Sequence, residues 1–120
     1  MTKNQNTKQY DLEERTFKFA KNCRILIKKL PKNISNFEDA KQLARSSGSV
    51  HANYIEANES LSKKDFGFRV KICRKEAKES RSWLLLIDTT EEIEQERKRL
   101  SQEATELMKI FGSIISKNNF

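Results

Sequence analysis

SKKDFGFRVKICRKEAKESRSWLLLI, the stretch from Ser62 to Ile87, decides the fold. Phe66, Val70, Cys73, Ala77, Ser80, Leu84 and Ile87 recur at alternating steps of four and three, the spacing of a helix that buries one face. Ser62 stands where a helix cap belongs, with Asp65 three places on. The cap oxygen takes an unpaired backbone N–H, and the acid complements the positive helix end.

The same signal appears three more times, as Asp11 with Glu14, Ser35 with Glu38, and Thr89 with Glu92. Four starts imply four helices. The first carries Leu12, Thr16, Phe19, Cys23, Leu26 and Leu30 on its seam, and Pro31 stops it by disfavouring helical geometry in the residue before. The fourth carries Ile93, Arg97, Leu100, Ala104, Leu107, Phe111 and Ile114, with Arg97 alone breaking the pattern. In the second, Leu43, Ser47, Val50, Tyr54, Ala57 and Leu61 keep one register straight through Ser46-Ser47-Gly48-Ser49. Composition alone reads that run as a linker; the unbroken phase reads it as helix, at about 1 kcal/mol for Gly48. The expected fold is therefore an all-α, antiparallel four-helix bundle, one domain over residues 1–120. Its helices are placed at 11–30, 36–61, 63–88 and 90–116, with flexible ends at 1–9 and 117–120.

Composition agrees. In 120 residues there are three Gly and one Pro, too few turn formers for most β architectures, and the formal net charge is +7. The longest apolar run, Trp83 to Ile87, falls far short of the ~20 residues of a membrane span, and Met1 to Tyr10 has no apolar signal segment. A cytoplasmic protein with no membrane contact is expected.

The chemistry-bearing residues point away from catalysis. Cys23, Cys73 and His51 cannot make a four-ligand zinc site or a disulfide framework, and both cysteines fall on core stripes. His51 has no Glu at the offset of a di-iron site and no context for a nucleophilic triad. Gly48, Gly67 and Gly112 are isolated, so no phosphate-cradling loop exists. Neither an enzyme nor a cofactor or metal is expected.

Charge placement is more informative. On a wheel of 100° per residue, Lys63, Lys64, Lys71, Arg74, Lys75, Lys78 and Arg81 share an arc between roughly 80° and 200° from Cys73 that no acid enters. The fourth helix instead mixes Glu94, Lys98, Glu103, Glu106 and Lys109, as solvated faces do. The arc is either a Lys-rich exposed side or a phosphate-attracting surface. On the opposite flank Glu76 and Glu79 interleave with Ile72, Trp83 and Leu86. A flank of the second helix carrying Arg45, Ser49, Asn53 and Glu56 can meet them, either in a structural polar network of Asn53, Glu56 and Glu79 or at a wet rim. Phe17, Ile25 and Ile55 point off the seams and imply burial against another copy or a partner.

Ala52-Asn53-Tyr54-Ile55-Glu56-Ala57, followed by Ser62-Lys63-Lys64-Asp65-Phe66 and then Glu79, resembles the bacterial four-helix-bundle family first associated with intervening sequences in 23S rRNA genes. The family pattern is Ala-Asn-x-x-Glu-Gly, a Ser-x-Lys-x-Phe-like start to the third helix and a glutamate in its middle. Ala57 replaces the frequent glycine, and the likeness extends loosely from Asp11 to Ile115. The resemblance implies a left-handed up-down-up-down bundle assembled into a ring-shaped homopentamer, with Asn53, Glu56, Phe66 and Glu79 as structural groups at helix or subunit contacts. Related proteins are accessory subunits of diversity-generating retroelements, which makes a reverse transcriptase, RNA or DNA the implied partners. The leading expectation is a non-enzymatic, oligomeric nucleic-acid-binding or accessory protein acting through the basic arc; the alternative is a structural scaffold for another protein, with no nucleic-acid role.

Overall fold

Ser62 Oγ accepts the backbone N–H of Asp65 at 3.0 Å and opens α3 (Lys63–Leu86) where the sequence places it. The other starts shift. Asn33, not Ser35, caps α2 (Ile34–Asn58), its Oδ1 accepting the Asn36 N–H at 2.8 Å. α1 (Thr2–Ile27) already runs through residue 11, so the start expected there lies inside the helix. α4 (Glu91–Asn118) starts one residue late, and the Thr89 hydroxyl donates to the Glu94 carboxylate instead. The computed structural model describes residues 2–118, with side chains from Leu12 onward. Helix therefore covers most of the two ends expected to be flexible, while Met1 and residues 119 and 120 lie outside the described residues. Among the described residues all regular structure is helical.

The helix ends explain two other differences. α1 stops at Ile27, and a tight turn follows in which the Lys29 N–H reaches Leu26 O at 2.9 Å and the Leu30 N–H reaches Ile27 O at 3.3 Å. Leu30 is still buried. α2 stops at Asn58, so Leu61 continues the numerical register outside any helix and is 98% exposed rather than core.

Each helix packs on the next in sequence, and α4 closes on α1; across the diagonal the Tyr54 ring of α2 meets the Phe111 ring of α4 inside the core, their centroids 6.1 Å apart. From the start of α2 to its second half, the partners on α3 and the segment after it run from Asp88 back to Arg69. Asn36 bonds Asp88, Arg45 bonds Glu79, Ser46 bonds Ser80 and Asn53 bonds Arg69. One core joins the four seams, with Phe19, Leu26, Leu43, Val50, Val70, Leu84, Leu107 and Phe111 all fully buried. Burial of each such side chain is worth about 1.5–3 kcal/mol. Phe66 and Ile114, at the stripe ends, pack against this core while only partly buried.

α2 is continuous through Ser46-Ser47-Gly48-Ser49, as its register requires. The small side chains bring α2 and α3 close, and the buried hydroxyls of Ser46 and Ser80 satisfy one another at 2.7 Å. Arg97 breaks its seam for a reason visible only in three dimensions. Half-buried near the end of α3, it donates to the Leu84 carbonyl at 3.3 Å while pairing with Glu94. It thus satisfies an acceptor in the last turn, which has no partner further along the helix. Arg97 and Thr89 together hold the Glu94 carboxyl down to about 2.

Candidate nucleic-acid interface

The basic arc of α3 exists because two periodicities share one helix. The four-three apolar register turns Val70, Cys73, Ala77 and Leu84 inward, which leaves Lys64, Lys71, Lys75 and Lys78 on the side away from the core. Lys63, Lys64, Lys71, Arg74, Lys75 and Lys78 are exposed, and Arg81 is half-buried with its Nη1 donating to Thr105 Oγ1 at 3.3 Å. Arg74 lies flat against α4 over Gly112, its Nε 3.8 Å from where a β-carbon would stand. The row runs from Lys63 to Arg81, about 27 Å along the helix axis.

Several acids elsewhere are already engaged. Arg15 grips Glu103 at 2.7 Å and Glu106 at 3.4 Å, Lys29 reaches Glu96 at 3.0 Å, and Arg45 takes both Glu76 and Glu79. None of the seven arc cations forms an ion pair among the described residues. Phe68, 60% exposed, borders the arc and is covered by Arg69 at 6.0 Å. No aromatic ring stands within the arc, so it offers phosphates charge without a stacking platform.

The opposite flank is two groups, not one network. Asn53 Oδ1 accepts from Arg69 at 2.9 Å, and its amide donates to Ser49 at 2.9 Å. Glu79 belongs to a separate cluster with Arg45 and Glu76, of which Glu76 is 8% exposed. Glu56 is exposed and joins neither group. The acid of this flank that is buried is Glu76, beside Arg45. Helix offsets single out Glu76 and Glu79 as a pair, but they do not say which of the flank acids sinks deepest.

His51 lies beside Phe17, Ile55, Glu13 and Glu14 in a shallow groove between α1 and α2. Its Nδ1 shares a hydrogen bond with Thr16 Oγ1 at 3.0 Å, and its ring meets Phe17 edge-on at 5.5 Å. Burial lowers its pKa from 6.5, against the opposing charge of Glu13. Cys23 and Cys73 are fully buried, and burial pushes both thiols up to about 12. Phe17 is 53% exposed, and Ile25 and Ile55 are less exposed, at 37% and 38%. Among the described residues no cluster of three His, Cys, Asp or Glu side chains is placed to hold a metal ion, and no helix is long and apolar enough to cross a membrane.

Fold and charge together define a class: a four-helix protein with one acid-free cationic helix face. The chain belongs to the 23S rRNA-intervening sequence protein family, whose model it matches over residues 8–113. It is similar to the crystal structure of a protein of unknown function from the S23 ribosomal protein family of Bacteroides thetaiotaomicron. The two share 33% identity at a TM-score of 0.79, over 91% of this chain and 98% of the other. No curated protein matches it.

Proposed function

We propose that this protein is a non-enzymatic, oligomeric accessory subunit that holds nucleic acid along α3. The observation that carries the reading is the row of seven cations with no acid among them and no ion-pair partner among the described residues, while Glu96, Glu103 and Glu106 on the neighbouring α4 are paired within the chain. A merely solvated surface is free to mix signs, as α4 does; a single-sign row concentrates polyanions. The family's association with intervening sequences of 23S rRNA supports RNA as the polyanion. In this reading the helices run up-down-up-down in a left-handed bundle. Copies join side by side through Phe17, Ile25 and Ile55 into a ring, a pentamer by the resemblance, that multiplies the phosphate contacts and serves a partner enzyme such as a reverse transcriptase.

Salt-dependent binding to labelled RNA and DNA, read by fluorescence anisotropy, tests this. A protomer neutralising six or more phosphates loses roughly 10³-fold in affinity between about 50 and 200 mM salt. Reversal of charge at Lys71, Arg74 and Lys78 should weaken binding to every sequence by a similar factor, with assembly unchanged by sedimentation. Equal binding by wild type and variant overturns the assignment of the site. Absence of salt-dependent binding altogether favours the scaffold reading, which draws on the exposed Phe17 and Ile55.

A further inference from the structure

One end of the bundle carries both signs of charge on opposite edges. The segment joining α1 to α2 presents Lys28 and Lys32, and the one joining α3 to α4 presents Asp88, followed by Glu91 and Glu92 in the first turn of α4. All five are exposed, and none has an ion-pair partner among the described residues. Both edges belong to the same end: Asn36 donates to Pro31 O and Asp88 O at 2.9 Å each, and Lys29 reaches Glu96 at 3.0 Å. Large apolar side chains stand on the same end. Ile34 is 85% and Phe37 66% exposed in the first turn of α2, while Leu85 and Leu86 are 59% and 61% exposed in the last turn of α3. Four such residues at one end are not the scattered single hydrophobes of an ordinary surface.

We propose that this end docks on the same end of a second copy, about a two-fold axis parallel to the two connecting segments. Rotation about that axis exchanges the edges, so each basic segment comes to lie over the acidic segment of the other copy, twice over. The same rotation keeps the α2–α3 side in place, so Ile34 and Phe37 of one copy fall over Leu85 and Leu86 of the other. It also sets the positive N-terminal end of α2 over the negative C-terminal end of α3. A two-fold axis at right angles, still in the end plane, would stack lysine on lysine and acid on acid. One axis thus satisfies charge, apolar surface and helix dipoles together, as a self-complementary contact must. A polyanion or an anionic membrane fits this end poorly, because half of it is acidic.

The molecule measures 44 × 30 × 20 Å, so an end-on contact has a 30 × 20 Å cross-section at its disposal. That puts the interface at the small end of specific contacts, about 1,200 Å² in total or less. The contact is therefore concentration-dependent and weakened by salt. It uses neither the α3 arc nor Phe17, Ile25 and Ile55, so its failure leaves the proposed function standing.

Sedimentation velocity on the full chain tests it, with far-UV circular dichroism melts to confirm folding. Wild type at low salt should show a species of twice the mass of whatever unit the side-on contacts give. Lys28→Glu with Lys32→Glu, and separately Glu91→Lys with Glu92→Lys, should each reduce its association constant at least tenfold. Mixing the two variants should restore it, since an all-acidic end then meets one that is basic at every position named except Asp88. Should charge reversal in the first turn of α4 unfold the chain, Glu91→Gln with Glu92→Gln must still weaken the doubled species. A wild type that never doubles, doubling that persists in each variant alone, or a mixture that stays undoubled overturns the proposal.

Discussion

The guanidinium of Arg24 occupies the space that a side chain at Gly48 would fill, its Nη2 standing 3.0 Å from the position of a β-carbon there. From that seat it donates to the Ala20 and Ala44 carbonyls at 3.0 Å each and to Ser47 Oγ at 3.4 Å. A glycine in mid-helix is thereby accounted for: it admits a cation that ties α1 to α2.

Gly48→Ala should consequently fail to gain the ~1 kcal/mol that replacing a helical glycine ordinarily brings. The new methyl must displace Arg24 and loosen its bonds. In an Arg24→Ala background the same substitution should recover the full ~1 kcal/mol. A double-mutant cycle in urea measures the difference, and identical gains in both backgrounds would show that Arg24 does not depend on the missing side chain.

Asn36 is 3% exposed, and its one amide serves three backbone groups: Pro31 O, Asp88 O and the Asp88 N–H, the last at 2.8 Å. Asn36→Ala leaves them without a protein partner, at about 1–3 kcal/mol for each group that stays buried. Denaturant unfolding should show a loss in that range or above it, and a change under half a kcal/mol would mean that water replaces the amide without cost.

Leu84, fully buried, and Leu100, 5% exposed, face the core from α3 and α4. Truncation of either to Ala should cost about 2–5 kcal/mol, from lost transfer energy and the cavity left behind. Unfolding midpoints of the two variants check the register of both helices.

The seams were legible because a four-three repeat is enforced by the geometry of burial along a whole helix, and Cys23, Val70, Leu84 and Phe111 had no other face to occupy. Ends were not. Asn33 and Ser35 are equally competent caps, and the choice between them rests on Asn36, whose amide binds across to Asp88, far away in sequence. Leu61 satisfied a periodicity that has no means of registering that α2 had already ended. For the candidate interface, the cationic arc could be read from one helix alone. The fate of Glu56 and Glu76 could not, since it depends on the relative height of α2 and α3, which neither sequence contains by itself.

His51 makes stability sensitive to pH. Burial favours its neutral form, so the unfolded chain takes up the proton first as pH falls. The folded state should therefore hold its full stability above 6.5 and lose some of it as pH drops below that value. The wild type should lose more over that window than His51→Gln, and the imidazole should titrate by NMR with a midpoint under 6.5. A midpoint at or above it would place Glu13 ahead of burial as the dominant influence.

Cys23 on α1 and Cys73 on α3 are closed to solvent and hold their protons to about pH 12. In the folded state a thiol reagent therefore has neither access nor a thiolate to attack, and labelling waits for the helices to part. The protein thus contains two clocks for its own opening, one on each side of the α1 contacts. Equal labelling rates mean the four helices come apart in one event. A faster Cys23 means α1 peels away first from the thin, ion-paired seam it shares with α4, leaving Cys73 shut within the other three.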